Sequence, residues 1–236
     1  MIGVLGGMGP LATVDLFEKI IRATAAERDQ ENLPLIIYSN PHIPDRQAAY
    51  FSRSPESSPV PAMLTGIRSL EAAGAHCIVV ACNTAHHWFD VLQAETELPL
   101  FHIADAVCFE IETTSPLPQT VGLLGTLATV ESGFYQERLS SLRLNCVTLS
   151  RAETVTTFDE AVTFVKKGEL TEAFPFAIAA IETLVSKGAD LVILACTELP
   201  VALANQRTSV KLVDATNALA KSVVKWQKKR MPNWSK

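Results

Sequence analysis

Four short aliphatic runs punctuate the chain: "IGVL" from Ile2, "PLIIYS" from Pro34, "HCIVVA" from His76 and "DLVILA" from Asp190. Their middles are continuously apolar instead of alternating with polar residues, as in strands covered on both faces of a parallel sheet. Longer amphipathic stretches lie between them and read as helices. Strand-like and helix-like runs in alternation predict an α/β fold.

The order of the pieces repeats. "IGVLGGMGPLATVDLFEKI" resembles "VGLLGTLATVESGFYQERL" from Val121, "AGAHCIVVACNTA" from Ala73 resembles "KGADLVILACTEL" from Lys187, and "LFHIADA" from Leu100 resembles "VKLVDAT" from Val210. The pairs Gly3 and Gly122, Cys82 and Cys196, and Asp105 and Asp214 are offset by 119, 114 and 109 residues. A slowly drifting offset with unchanged order is the mark of a duplicated unit with small insertions and deletions. The chain is expected to form two Rossmann-like (flavodoxin-like) parallel-sheet halves related by a pseudo-twofold axis, with the active site between them. The first half covers residues 1–113 and is joined by the C-terminal segment 214–236; the second covers 114–213. The join falls in "TTSPLPQT" (Thr113 to Thr120), which has two prolines and no apolar period. A second stretch, Ser39 to Pro61, is proline-rich and too long for a simple connection, so it is expected to be an irregular lid or binding loop.

Composition narrows the function classes. With 236 residues, 48% of them hydrophobic, the chain can bury one large core or two small ones. A formal net charge of -5 leaves no basic footprint for nucleic acid. Lys221, Lys225, Lys228, Lys229 and Arg230 near the end of the chain read as a solvated helix face, not a lipid or nucleic-acid contact. No apolar run approaches the roughly 18 residues of a membrane span, and "MIGVLGGMGP" lacks a signal-peptide pattern. Five cysteines are an odd number for a disulfide framework. The expectation is a cytoplasmic protein with reduced thiols and no membrane or nucleic-acid partner.

"CIVVACNTAHHW" (Cys77 to Trp88) raises the question of a metal. Cys77 and Cys82 on one strand would stand about 16 Å apart with side chains on opposite faces, too far to share a zinc with ~2.3 Å bonds. Cys82 with His86 or His87 would still need partners that the spacing does not supply. No metal is expected, and Cys77, Cys108 and Cys146 read as small core residues. Cys82 and Cys196 differ. Each ends an apolar strand and precedes a residue that can cap a helix, Asn83 or Thr84 in one case and Thr197 in the other. The carboxyl ends of parallel strands line the ligand crevice. Helix N-termini there would favour an anion and a thiolate. If the halves face each other, the two thiols address opposite faces of one carbon, a geometry suited to removing a proton and returning it on the other side. Gly7 to Ala12 also matches the dinucleotide fingerprint G-x-G-x-x-A, but Pro10 lies within it and the next strand, ending "IIYSN", offers no acid for a ribose hydroxyl.

"GGMGP" (Gly6 to Pro10), "NPHIPDR" (Asn40 to Arg46), "CNTAH" (Cys82 to His86) and "CTELP" (Cys196 to Pro200), in that order, resemble the motifs of the aspartate/glutamate racemase family, aspartate racemase branch, over essentially the whole chain. The resemblance implies a cofactor-independent racemase acting on a dicarboxylic amino acid, expected as a homodimer. It implies Cys82 and Cys196 as catalytic residues. It further implies that Asn83, Thr84, Thr126 and Thr197 hold the α-carboxylate and amino groups, that Met8 lines the pocket, and that Arg46 and Lys166 grip the side-chain carboxylate. A planar, bidentate Arg suits that last task. Glutamate racemases of this family usually carry a histidine where this chain has Glu198, and relatives with threonine in place of the first cysteine differ from this chain at Cys82. The alternatives within the resemblance are a broad-specificity aspartate/glutamate racemase and a non-catalytic amino-acid-binding relative. Asp105 and Asp214 are explained by helix capping.

Overall fold

The structure, a computed structural model, describes residues 1–52, 54–203 and 208–230. It divides into two compact units, one of residues 1–103 with the described residues from Thr216, the other Ala104–Ala215. The first unit runs β1 (Ile2–Gly6), α1 (Pro10–Thr24), β2 (Leu35–Ser39), α2 (Arg46–Ser52), α3 (Val60–Ala72), β3 (Cys77–Val80), α4 (Phe89–Ala94) and β4 (Leu100–Phe101). The second runs α5 (Ile103–Glu112), β5 (Thr120–Gly125), α6 (Leu127–Glu131), α7 (Phe134–Ser141), β6 (Asn145–Thr148), α8 (Arg151–Glu153), α9 (Asp159–Lys167), α10 (Leu170–Ser186), β7 (Leu191–Ala195), α11 (Leu199–Leu203) and β8 (Lys211–Asp214), and α12 (Ala215–Arg230) follows. Among the described residues no helix is long and apolar enough to cross a membrane.

Each unit holds a four-stranded, wholly parallel sheet, in the orders β2-β1-β3-β4 and β6-β5-β7-β8. The α/β expectation therefore holds, and the two sheets have the same topology. The inner strands β1, β3 and β7 are buried at every position and β5 at all but its first, whereas the edge strands β2 and β6 contain no fully buried residue. That difference is why the inner strands read as continuous apolar runs. The duplication extends into packing. A methyl on Gly3 would lie 3.0 Å from the Ala75 Cβ and 3.3 Å from the Leu70 Cβ; one on Gly122 would lie 3.1 Å from both the Ala189 and Leu184 Cβ atoms. In both units a strand glycine thus lets the helix that leads into the neighbouring inner strand (α3 before β3, α10 before β7), and the turn after that helix, close onto the sheet.

Four details differ from the expectations. The stretch Ser39 to Pro61 is not irregular throughout, because Asp45 starts α2 by accepting the Ala48 N–H on its side chain (2.8 Å) and the Ala49 N–H on its carbonyl (2.9 Å). The division between units falls nearer residue 103 than 113, since α5 is tied to α7 by an Asp105–Arg138 ion pair. Asp105 accordingly lies inside the first turn of α5 and makes that ion pair instead of capping the helix. The C-terminal return begins at Thr216, and residues 231–236 of the expected segment lie outside the described residues. α12 is held to the first unit by Lys228, whose Nζ donates to the Thr24 carbonyl at 2.6 Å, and by Trp226, edge-on to Phe101 with ring centres 5.5 Å apart.

Candidate active-site residues

In the first unit, β1 and β3 end side by side. Leu5 pairs with Val80, and the Ala81 N–H donates to the Leu5 carbonyl at 2.9 Å. Cys82 therefore stands just past the sheet's carboxyl edge, next to the turn that leaves β1. That turn is fixed by three hydrogen bonds: the Gly7 N–H donates to Thr13 Oγ1 (2.9 Å), the Thr13 hydroxyl donates to the Gly9 carbonyl (3.0 Å), and the Asn40 N–H donates to the Gly6 carbonyl (3.2 Å). Pro10 then opens α1, where its fixed φ suits the first helical position. Met8, in the same turn, is buried in one apolar cluster with Ile43 and Cys82. The structure thus brings the glycine turn, the loop after β2 and Cys82 together.

Asn83 and Thr84 are buried beside Cys82. Neither opens an α-helix: a single 3-10 turn, Thr84–Trp88, follows, and the Asn83 side chain does not cap it. His86, one turn on, has Nδ1 2.8 Å from the Cys82 carbonyl and Nε2 3.4 Å from the Phe101 carbonyl, and so links the ends of β3 and β4. Its sequence signal was the spacing of four from Cys82, which the metal question obscured. Arg46 begins α2 half-buried, with Nη1 donating to the carbonyls of Ile43 (3.0 Å) and Pro44 (2.9 Å). Its Nε is buried and meets no acceptor, leaving a donor available to a carboxylate.

The second unit repeats the arrangement with different side chains. Gly125 pairs with Ala195, so Thr126 and Cys196 leave adjacent strand ends. The Thr126 hydroxyl caps α6 by accepting the Thr129 N–H at 3.1 Å. Cys196 and Thr197 are buried, but Thr197 is not a helix cap. Its hydroxyl donates to Glu198 Oε2 at 3.0 Å, and the Cys196 thiol donates to the same oxygen at 3.1 Å. Glu198 is 9% exposed, and its carbonyl accepts the Ala202 N–H, so Glu198 stands where a cap would. α6 has only five residues. In the first unit the anion cradle expected of a helix N-terminus is reduced to a single 3-10 turn, whose few aligned peptides make a weak dipole. Lys166 is exposed in the last turn of α9, while the neighbouring Lys167 lies 5.5 Å above the Phe164 ring. Burial, aided by Glu160, holds the Asp159 carboxyl above its ordinary range, and Lys166 opposes the effect.

The remaining cysteines are a contrast. Burial pushes the Cys77 thiol up to about 12 and those of Cys108 and Cys146 up to about 11. They are uncharged at neutral pH; Cys77 and Cys108 are buried as small core residues, whereas Cys146 is half-buried on the edge strand β6, not in the core. Among the described residues no three His, Cys, Asp or Glu side chains are grouped to hold a metal ion.

Comparison with known proteins gives a consistent answer. The Asp/Glu/Hydantoin racemase family matches residues 5–223. The solved Picrophilus torridus aspartate racemase is 32% identical with a TM-score of 0.84, covering 100% of this chain and 99% of its own. A solved aspartate racemase homologue from Pyrococcus horikoshii is 29% identical with a TM-score of 0.72, covering 95% and 97%. A broad-specificity amino-acid racemase of Bacillus subtilis is 27% identical over 95% of this chain and 96% of its own length. With the family matched from β1 into α12 and the fold shared along the whole chain, the protein belongs to the Asp/Glu/hydantoin racemase family and is an isomerase.

Proposed function

We propose that the protein interconverts L- and D-aspartate by two-base proton transfer between Cys82, Cys196 and the α-carbon, without a cofactor. The observation that carries this reading is the duplicated strand end. Each unit places one cysteine directly beyond an inner strand, beside the turn that leaves the neighbouring inner strand. In the reaction one sulfur, as thiolate, takes the α-proton; the electron pair stays on the substrate; the other sulfur, as thiol, gives a proton to the opposite face. One C–H bond breaks and one forms, and one proton has passed from the second sulfur to the first. The mechanism requires the two sulfurs to flank the α-carbon. Polar groups beside them, from Asn83, Thr84, Thr126 and Thr197, are suited to the α-carboxylate and amino group. Arg46, with its spare Nε, is suited to the side-chain carboxylate, and Lys166 is assigned to the same charge.

The test is incubation with each enantiomer of aspartate in D₂O, following optical rotation and α-deuterium. The reading expects both signals from the native protein and loss of racemisation in Cys82→Ser and in Cys196→Ser. Near-normal racemisation in either variant would sink it. A broader specificity is the second reading, favoured by the likeness to the broad-specificity amino-acid racemase of Bacillus subtilis. One methylene in a pocket discriminates by only ~1–3 kcal/mol, so glutamate belongs in the same assay. Comparable turnover of glutamate would replace the narrow assignment with the broad one.

A further inference from the structure

The two strand ends are not equivalent. Aligned on their cysteines, Cys82-Asn83-Thr84 corresponds to Cys196-Thr197-Glu198, so the position that holds a neutral hydroxyl in the first unit holds a carboxylate in the second. That carboxylate is in use: one of its oxygens accepts both the Cys196 thiol, at 3.1 Å, and the Thr197 hydroxyl, at 3.0 Å. Thr197 fixes the orientation, and the backbone fixes the rest, because the Glu198 carbonyl is itself held by the Ala202 N–H at 3.1 Å. Cys196 is 4% exposed and Glu198 9%, so water screens the pair poorly.

We propose that Glu198 is a positioning residue that keeps the Cys196 proton on sulfur, making Cys196 the resting proton donor and Cys82 the resting acceptor. The inference rests on the two-thiol reading above. In the structure the Cys196 thiol is the donor and the Glu198 oxygen the acceptor, so the shared proton is on sulfur. Moving it elsewhere would leave two negative charges about a hydrogen-bond length apart in a buried site. One direction of the reaction therefore starts from the resting form: Cys82 thiolate accepts the α-proton and the Cys196 thiol supplies its own to the other face. The enzyme returns to rest when Cys82 releases a proton to water and Cys196 takes one up. The other direction must start from the disfavoured form, with the thiolate on Cys196. Enantiomers have equal free energy, so kcat/KM is the same for both. The asymmetry appears instead as a split, with both kcat and KM lower for the enantiomer that the resting form accepts.

The experiment compares native protein, Glu198→Gln and Glu198→Asp. Iodoacetamide labelling at fixed pH is quantified at Cys82 and Cys196 by peptide mapping, and kcat and KM are measured for each enantiomer. Glutamine keeps the size and the hydrogen-bond acceptor but removes the charge. Labelling of Cys196 is expected to rise at least tenfold in Glu198→Gln, and the kcat and KM split between enantiomers is expected to narrow. Aspartate, which retains the charge one methylene farther back, is expected to fall between the two; should the glutamine variant fail to fold, it carries the comparison alone. Cys196 labelling within twofold of native in a folded variant overturns the role of Glu198. Normal racemisation by Cys196→Ser would instead overturn the two-thiol reading itself, so the two failures are told apart.

Discussion

The turn after β1 holds Met8 beside Cys82, and its weakest tolerance is at Gly7. This residue has φ 93°, and a methyl built on it would lie 2.4 Å from both the backbone N and carbonyl C of Asn40. Ordinary carbon contacts begin near ~3.5 Å, so an alanine must displace the Asn40 backbone by about 1 Å or move its own turn. A left-handed conformation costs a side-chain-bearing residue about 1–2 kcal/mol, and overpacking against a fixed neighbour adds about 1–3 kcal/mol. Gly7→Ala is therefore expected to destabilise the first unit by about 2–5 kcal/mol in urea titrations. Gly74 is the control within the same unit. Its φ is 87°, nearly the same, but an added methyl would meet only the Met1 side chain, at 3.8 Å. Gly74→Ala should cost only the conformational part, about 1–2 kcal/mol. The difference between the variants isolates the clash with Asn40. Racemisation by folded Gly7→Ala is also expected to fall, as the Asn40 N–H to Gly6 bond and the seat of Met8 shift together. A Gly7→Ala cost no greater than that of Gly74→Ala would refute the close-approach argument.

Three further outcomes are expected. At pH 8 a thiol near 12 is ionised to about 1 part in 10⁴ and one near 11 to about 1 in 10³, against about a quarter for free cysteine; Cys77, Cys108 and Cys146 should therefore resist iodoacetamide while Cys82 or Cys196 reacts, and peptide mapping that finds the label mainly on the first three would contradict this. Hydrogen bonds from Lys187 and Ser150 hold the Glu153 carboxyl down at about 2; its stabilisation is complete above the ordinary carboxyl range and lost as pH falls toward 2, so the stability gap between native protein and Glu153→Gln should shrink from pH 5 to pH 2, and a constant gap would count against the link. Arg46→Ala should raise KM for aspartate at least tenfold with a smaller effect on alanine, measured by steady-state kinetics; equal effects on both substrates would remove Arg46 from side-chain recognition.

The sequence by itself determined the two-fold repetition, the α/β class and the placement of Cys82 and Cys196 at strand ends. Burial on both faces forces β1, β3, β5 and β7 to be apolar at nearly every position, and that requirement is written residue by residue along the chain. Capping was not legible at Asn83 and Thr197. Whether a hydroxyl or amide caps a helix depends on the backbone angles of a single turn, and here Asn83 is followed by a 3-10 turn while the Thr197 hydroxyl bonds to Glu198. The helix α2 was hidden because its start signal, Asp45, lies between prolines and other loop-forming residues. Tertiary structure alone decided which unit receives α5, since an amphipathic helix fits either sheet until a contact such as Asp105–Arg138 selects one. It alone also turned Arg46 onto the carbonyls of its own loop and Glu198 onto the Cys196 thiol. A side chain's partner is set by where the folded backbone points it, and no pattern along the chain encodes that direction.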